Sequence, residues 1–218
     1  MSPTMTITPD LSTLTDDGLP PSGKGRVLLI ACGALAREIL DIKQRGGWDH
    51  MDLACLPAIL HNHPERITEA VRAVVQKHRA RYDSIFVVYA DCGTGGLLQA
   101  ACEEMGVEMV AGPHCYAFFD GLEAFAARGE ITSFYLTDFL ARQFDAFVWK
   151  PLGLDRHPEL LEMYFGHYEK LVYLAQIDDP ALTEKARGHA ERMGLSFERR
   201  LTGYGDLAAT LSGWARRD

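Results

Sequence analysis

The chain has 218 residues, 47% apolar and 24% charged, with 22 Lys and Arg against 30 Asp and Glu for a formal net charge of −8. That balance belongs to a folded chain with a sizeable core and excludes collagen-like, coiled-coil and wholly disordered organisation. The acidic excess repels phosphate backbones, so no nucleic-acid partner is expected. No uncharged apolar run reaches the roughly 18 residues of a membrane helix, so no membrane association is expected either.

Residues 1–24 are rich in Ser, Thr, Pro and Asp and are expected to form a disordered N-terminal tail. They lack the cationic start and apolar middle of a secretory signal. From residue 25 the chain reads as one α/β domain, with possible similar halves at 25–130 and 131–218. Arg26–Ala31 is a continuous apolar run, predicted as a buried strand. Ala34–Arg45 has helical spacing and stops at Gly46-Gly47. Met51–Cys55 is a second strand, Pro64–Arg81 a helix, Asp83–Ala90 the clearest strand, Gly93–Met105 a helix and Val107–Ala111 a fourth strand. In the second half, strands are predicted at Ser133–Thr137, Lys170–Ile177 and Phe197–Leu201. Helices are predicted at Asp138–Phe147, Pro158–His167, Pro180–Met193 and Asp206–Arg216, with Asp138 and Asp206 at caps or first turns. Strands alternating with helices imply a Rossmann-like parallel sheet covered on both faces. Every strand C-terminus then lies on one edge, where ligands of such folds bind.

The five cysteines are odd in number and carry no export signal, so a disulfide framework is not expected and the compartment reads as cytoplasmic. Cys32, Cys55 and Cys92 end the first three predicted strands. Cys115 follows the fourth, in Gly112-Pro113-His114-Cys115-Tyr116. On a parallel sheet these four converge on one rim, with His61, His63 and His114 in loops of the same edge. Thiolate and imidazole are the ligands of zinc, and thiolates alone suit iron–sulfur clusters. With no CxxC pair, such a site has to be assembled from distant loops. Cys32, Cys55, Cys92, Cys115, His61 and His114 are the candidate metal ligands. Cys102, beside Ala100 and Ala101, reads as core filler.

Asp91-Cys92-Gly93-Thr94-Gly95-Gly96 joins a buried strand to a helix, as anion-binding loops do. Gly93, Thr94, Gly95, Gly96 and Tyr116 are therefore candidate cofactor-binding residues. The same glycines are equally the mark of a tight turn. Cys92 and Asp91 are the catalytic candidates, since a thiol at a helix N-terminus gains nucleophilicity. Asp138, Arg142 and Asp155-Arg156-His157 are candidate polar walls, Tyr89 and Tyr204 candidate linings, and Glu38 a candidate partner of the Cys32 region.

The blocks Ala31-Cys32-Gly33-Ala34-Leu35-Ala36-Arg37-Glu38, Leu56-Pro57-Ala58-Ile59-Leu60-His61-Asn62-His63-Pro64, Asp91-Cys92-Gly93-Thr94-Gly95-Gly96 and Gly112-Pro113-His114-Cys115-Tyr116 resemble those of the domain of unknown function 1638 family. The resemblance runs from Arg26 to the C-terminus. It implies the company of corrinoid- and pterin-dependent methyl-transfer proteins and a role in one-carbon or methylamine metabolism, and it transfers no catalytic residue.

Three functions follow as expectations. The first is a metal- or cofactor-binding protein serving methyl transfer. Zinc would be held by the Cys/His cluster, with an iron–sulfur cluster or a corrinoid as the alternative occupant. The second is a metal-free enzyme on a small molecule, using a cysteine nucleophile or a racemase-like thiol pair, Cys92 and Cys115, tuned by Asp91 and His114. The third is a non-catalytic partner of a corrinoid or methyltransferase protein.

Overall fold

The computed structural model describes residues 9–217. It is α/β, with two parallel sheets flanked by helices in the Rossmann-like manner. The chain divides into two compact units. The first takes the chain up to Ala111 and again from Leu211; the second is Gly112–Thr210. The chain thus passes from the first unit to the second between Ala111 and Gly112, and the last turns of the final helix return to the first.

In the first unit, α1 (Leu11–Asp16) precedes β1 (Val27–Cys32), α2 (Ala36–Gly46), β2 (Met51–Leu56), α3 (Ile67–His78), β3 (Ser84–Val88), α4 (Leu97–Met105) and the two-residue β4 (Glu108–Met109). The strands lie in the order β2-β1-β3-β4, all parallel. β1 and β2 are buried at every position, as strands covered on both faces must be. One-turn 3-10 segments at Gly33–Leu35, Ala58–Asn62 and Pro64–Arg66 link strand ends to helices. Gly47, in the left-handed region at φ 66°, stops α2.

The second unit runs α5 (Ala117–Asp120), α6 (Leu122–Arg128), β5 (Ser133–Leu136), α7 (Asp138–Arg142), a π-turn at Asp145–Trp149, α8 (Leu161–Phe165), β6 (Lys170–Ala175), α9 (Pro180–Met193), β7 (Ser196–Leu201) and the start of α10 (Gly205–Ala215). Its sheet order is β5-β6-β7, again parallel. Asp179 caps α9 by accepting from Ala181 N (2.9 Å) and Leu182 N (3.1 Å), with Pro180 in the first turn. In α7 Thr137 is the cap and Asp138 takes the first turn, one of its two expected places. Past Leu211, α10 belongs to the first unit, where Trp214 stacks on Phe86 with ring centroids 4.6 Å apart.

The expected tail is the main departure. Residues 1–8 lie outside the described residues, but 9–24 are structured. Asp10 caps α1 through Ser12 N (3.0 Å), and Leu14 is fully buried. Leu19 pairs antiparallel with Cys55 through two backbone hydrogen bonds of 2.8 and 2.9 Å. The segment's polar composition hid a single apolar plug and a strand-edge pairing, neither of which has a period to detect.

Candidate functional site

Parallel strands bring the ends of β1, β2 and β3 to one edge of the first sheet. Cys32 is the last residue of β1, Cys55 stands opposite Ala31 near the end of β2, and Tyr89 directly follows β3. Cys32 and Cys55 are each 6% exposed and Tyr89 is 1% exposed. Burial pushes the Cys32 thiol up to about 12. A backbone hydrogen bond from Ala34 opposes this, the charge of Cys92 adds to it, and a hydrogen bond from Tyr89 pulls the other way. Burial also raises Cys55 well above an ordinary thiol, helped by Cys32 and Glu38 and opposed by Lys43. Both sulfurs therefore keep their protons at neutral pH. Glu38, on α2, is buried near the same thiols.

The loop after β3 is built around Asp91. Its carboxylate accepts from Gly96 N (2.6 Å), Thr94 Oγ1 (2.9 Å) and Gly95 N (3.2 Å). The amide of Gly96 above all, with Thr94, Gly95 and Gly93 behind it, holds that carboxyl below the usual carboxylate range. The glycine-rich turn thus carries its own anion: amides that an incoming phosphate would need already serve Asp91. Thr94 is buried, and Gly93, Gly95 and Gly96 sit at φ 84°, 63° and 84°. Between Asp91 and Gly93, Cys92 adopts φ 48°, the one positive φ outside glycine among the described residues. A side chain in that region is strained by about 1 kcal/mol or more, and such residues gather at functional sites. Cys92 is half-buried, whereas Cys32 and Cys55 are buried.

The other expected residues are distributed differently. His61 is exposed on the 3-10 segment after β2, and His63 stands 3.5 Å from Glu65. Cys115, His114 and Tyr116 belong to the second unit. There His114 stacks on Tyr116 at 4.9 Å and Tyr116 on Tyr135 of β5 at 5.2 Å, with Phe125 edge-on at 5.7 Å, so Tyr116 serves as a rung of an aromatic ladder. Cys102 is core, as expected: 2% exposed and pushed up by burial to about 11. Among the described residues, no group of three or more His, Cys, Asp and Glu side chains converges as a metal site requires. No helix among them is long and apolar enough to cross a membrane.

Asp138 is an internal tie within the second unit. It is 1% exposed and accepts from Tyr173 Oη (2.6 Å) and Gln176 N (3.1 Å), while its own amide donates to Gln176 Oε1 (2.6 Å). Burial raises its carboxyl despite these bonds. It therefore locks the end of β6 to the start of α7. Arg142 lies 3.9 Å away, and His157, in an exposed turn, stands 3.2 Å from Glu159. The residues missed by sequence reasoning are Lys43, whose ammonium is pushed down by burial near Asp52 and Cys55, and the whole α1 segment.

The family model for "Protein of unknown function (DUF1638)" matches residues 55–211, and the chain belongs to that family. No curated protein and no solved structure matches.

Proposed function

We propose that this member of the DUF1638 family is a metal-independent thiol enzyme acting on a small molecule at the strand-end edge of its first sheet, with Cys92 as the reactive group. The observation that carries the reading is the backbone of Cys92. A non-glycine residue is held at φ 48° in the loop four residues past the end of a central strand, and Asp91 and its cage of loop donors stand beside it. A half-buried cysteine fixed by the loop in this way suits a nucleophile.

Cys32 complements it. A thiol that keeps its proton up to about pH 12 is no nucleophile at neutral pH, but it donates a proton to an anion developing beside it. In this reading the Cys92 sulfur gives up its proton to solvent and adds to a carbonyl carbon of the substrate, the C=O π pair moves onto oxygen, and Cys32, with Tyr89 alongside, donates its proton to that oxygen and regains one from solvent. Asp91, fully occupied by its own loop, is a positioning residue. The thiol pair is then Cys32 with Cys92, in place of the expected Cys92 with Cys115, because the first two belong to one unit. The five free cysteines suit the reducing cytoplasm, where the reading places the protein.

The test is a limiting dose of iodoacetamide on chelator-treated protein near neutral pH. A single adduct at Cys92, lost in Cys92→Ser, is the expected result. Uniformly inert thiols, or an adduct that survives Cys92→Ser, would overturn the proposal.

A further inference from the structure

We infer that residues 10–19 form a hinged cover over the Cys32 and Cys55 end of this crevice, which opens as a unit to admit a ligand. The inference concerns regulation of the proposed thiol site and rests on that reading.

Helix α1 has six residues, too few to persist alone in water, so docking is what holds it. It packs on the two 3-10 segments, Gly33–Leu35 and Ala58–Asn62, that follow the Cys32 and Cys55 strands. The approach is backbone to backbone. A Cβ on Gly33 would collide with the Leu14 carbonyl oxygen, and one on Gly18 with the Cys55 carbonyl oxygen. The fold has thus been stripped of side chains at the two places where the segment lies on the strand ends.

The attachment is uneven. At its root the segment is tied firmly, with Ser22 Oγ donating to Asp52 Oδ1 at 2.5 Å and Arg81 donating to the Gly23 carbonyl. Toward its tip it is held by Leu14, which is fully buried, by the Leu19–Cys55 backbone pair, and by Arg37 donating to Pro9 O at 3.2 Å. At the root, Gly23 (φ 71°), with open space around its Cα, supplies a position that absorbs a large backbone change. One apolar plug, one strand-edge pair and one glycine hinge describe an element of low local stability over a core of high stability. The segment pairs through its backbone with Cys55 and lies on Gly33, the residue after Cys32, and both cysteines are 6% exposed.

The experiment compares the full chain with Leu14→Ser. Alkylation of Cys32 and Cys55 is followed by peptide mapping, and Cys102, enclosed elsewhere in the same unit, is the internal control. Losing one fully buried leucine shifts an opening equilibrium by roughly 10- to 100-fold, so the Cys32 and Cys55 rates should rise by that factor with Cys102 unchanged. Unchanged Cys32 and Cys55 rates overturn the cover. Should Cys102 rise with them, the variant has unfolded, and amide exchange of the unaltered protein decides. Exchange of Leu14, Asp17, Gly18 and Leu19 together and well ahead of the β1 amides supports the cover, and exchange at the β1 rate overturns it. Labelling of Cys92 in the same digests reports separately on the thiol site, so the two readings fail independently.

Discussion

Removing the Asp91 carboxylate should let Cys92 relax. The carboxylate accepts three loop hydrogen bonds, from Gly96 N, Thr94 Oγ1 and Gly95 N. At a partly exposed position these sum to about 2 kcal/mol net. The left-handed backbone of Cys92 costs about 1 kcal/mol. The balance favours the strained conformer by about 1 kcal/mol, a population near 85%; without the carboxylate the sign reverses and the population falls to about 15%. Asp91→Ala should therefore slow Cys92 alkylation roughly fivefold and speed amide exchange at Gly95 and Gly96, with little change in melting temperature. Asp91→Asn should fall between. Its Oδ1 keeps the Gly96 and Thr94 bonds, while its amide group faces the Gly95 N–H, donor against donor. Because the carboxyl is held below its ordinary 3.8, these bonds are fully present above that pH and are lost as pH falls through the lower folded value. Unchanged Cys92 labelling and unchanged Gly95 and Gly96 exchange in Asp91→Ala would refute the reasoning.

Other outcomes follow from the packing. Arg200 is 16% exposed and donates to both Glu130 oxygens (2.8 Å), to Glu198 (2.6 Å) and to Asp120 (3.4 Å). Arg200→Met removes one partner from each of three carboxylates, while Glu130 keeps Lys170 and Tyr135, Glu198 keeps Lys170 and Asp120 keeps Arg128, and should cost about 1–2 kcal/mol in thermal or denaturant unfolding. Burial would raise Glu130, but Lys170, Tyr135 and Arg200 hold its carboxyl down to about 2. Its contribution to stability is complete above its ordinary 4.5 and is lost as pH falls from there toward 2, a slope that Glu130→Gln should flatten in pH-dependent unfolding. Trp214, 2% exposed, stacks on Phe86 and donates through Nε1 to Glu108 (2.7 Å); Trp214→Ala should cost about 3–4 kcal/mol, read by chemical denaturation.

The parallel α/β class was legible because Val27–Cys32, β3 after Ser84 and β6 after Lys170 are unbroken apolar runs bounded by polar or glycine residues, the mark of strands buried on both faces. The placement of Cys32 and Cys55 at strand ends followed from those runs, whereas Cys92, expected to end the third strand, lies in the loop four residues past Val88. Strand order and the split into two sheets did not, since pairing between distant segments leaves no local period. Residues 112–131 gave no clear pattern because α5 and α6 are only four and seven residues long and meet at Gly121. The expected helix Asp138–Phe147 is α7 followed by a π-turn, a change of hydrogen-bonding that side-chain spacing does not mark. The role of Asp91 was not visible. The glycines after Cys92 pointed to a turn and Asp91 was a catalytic candidate, but only coordinates show its carboxylate filling the turn's own amides.

The most direct measurement is a competition among the five thiols: one equivalent of iodoacetamide on the folded chain, quenched early and mapped by mass spectrometry. The account predicts that Cys92 takes most of the label, ahead of half-buried Cys115, while Cys32, Cys55 and Cys102 stay unmodified. Label shared between Cys92 and Cys115 in proportion to exposure alone would mean that the strained loop thiol has no special reactivity, and the proposed site would fall with it.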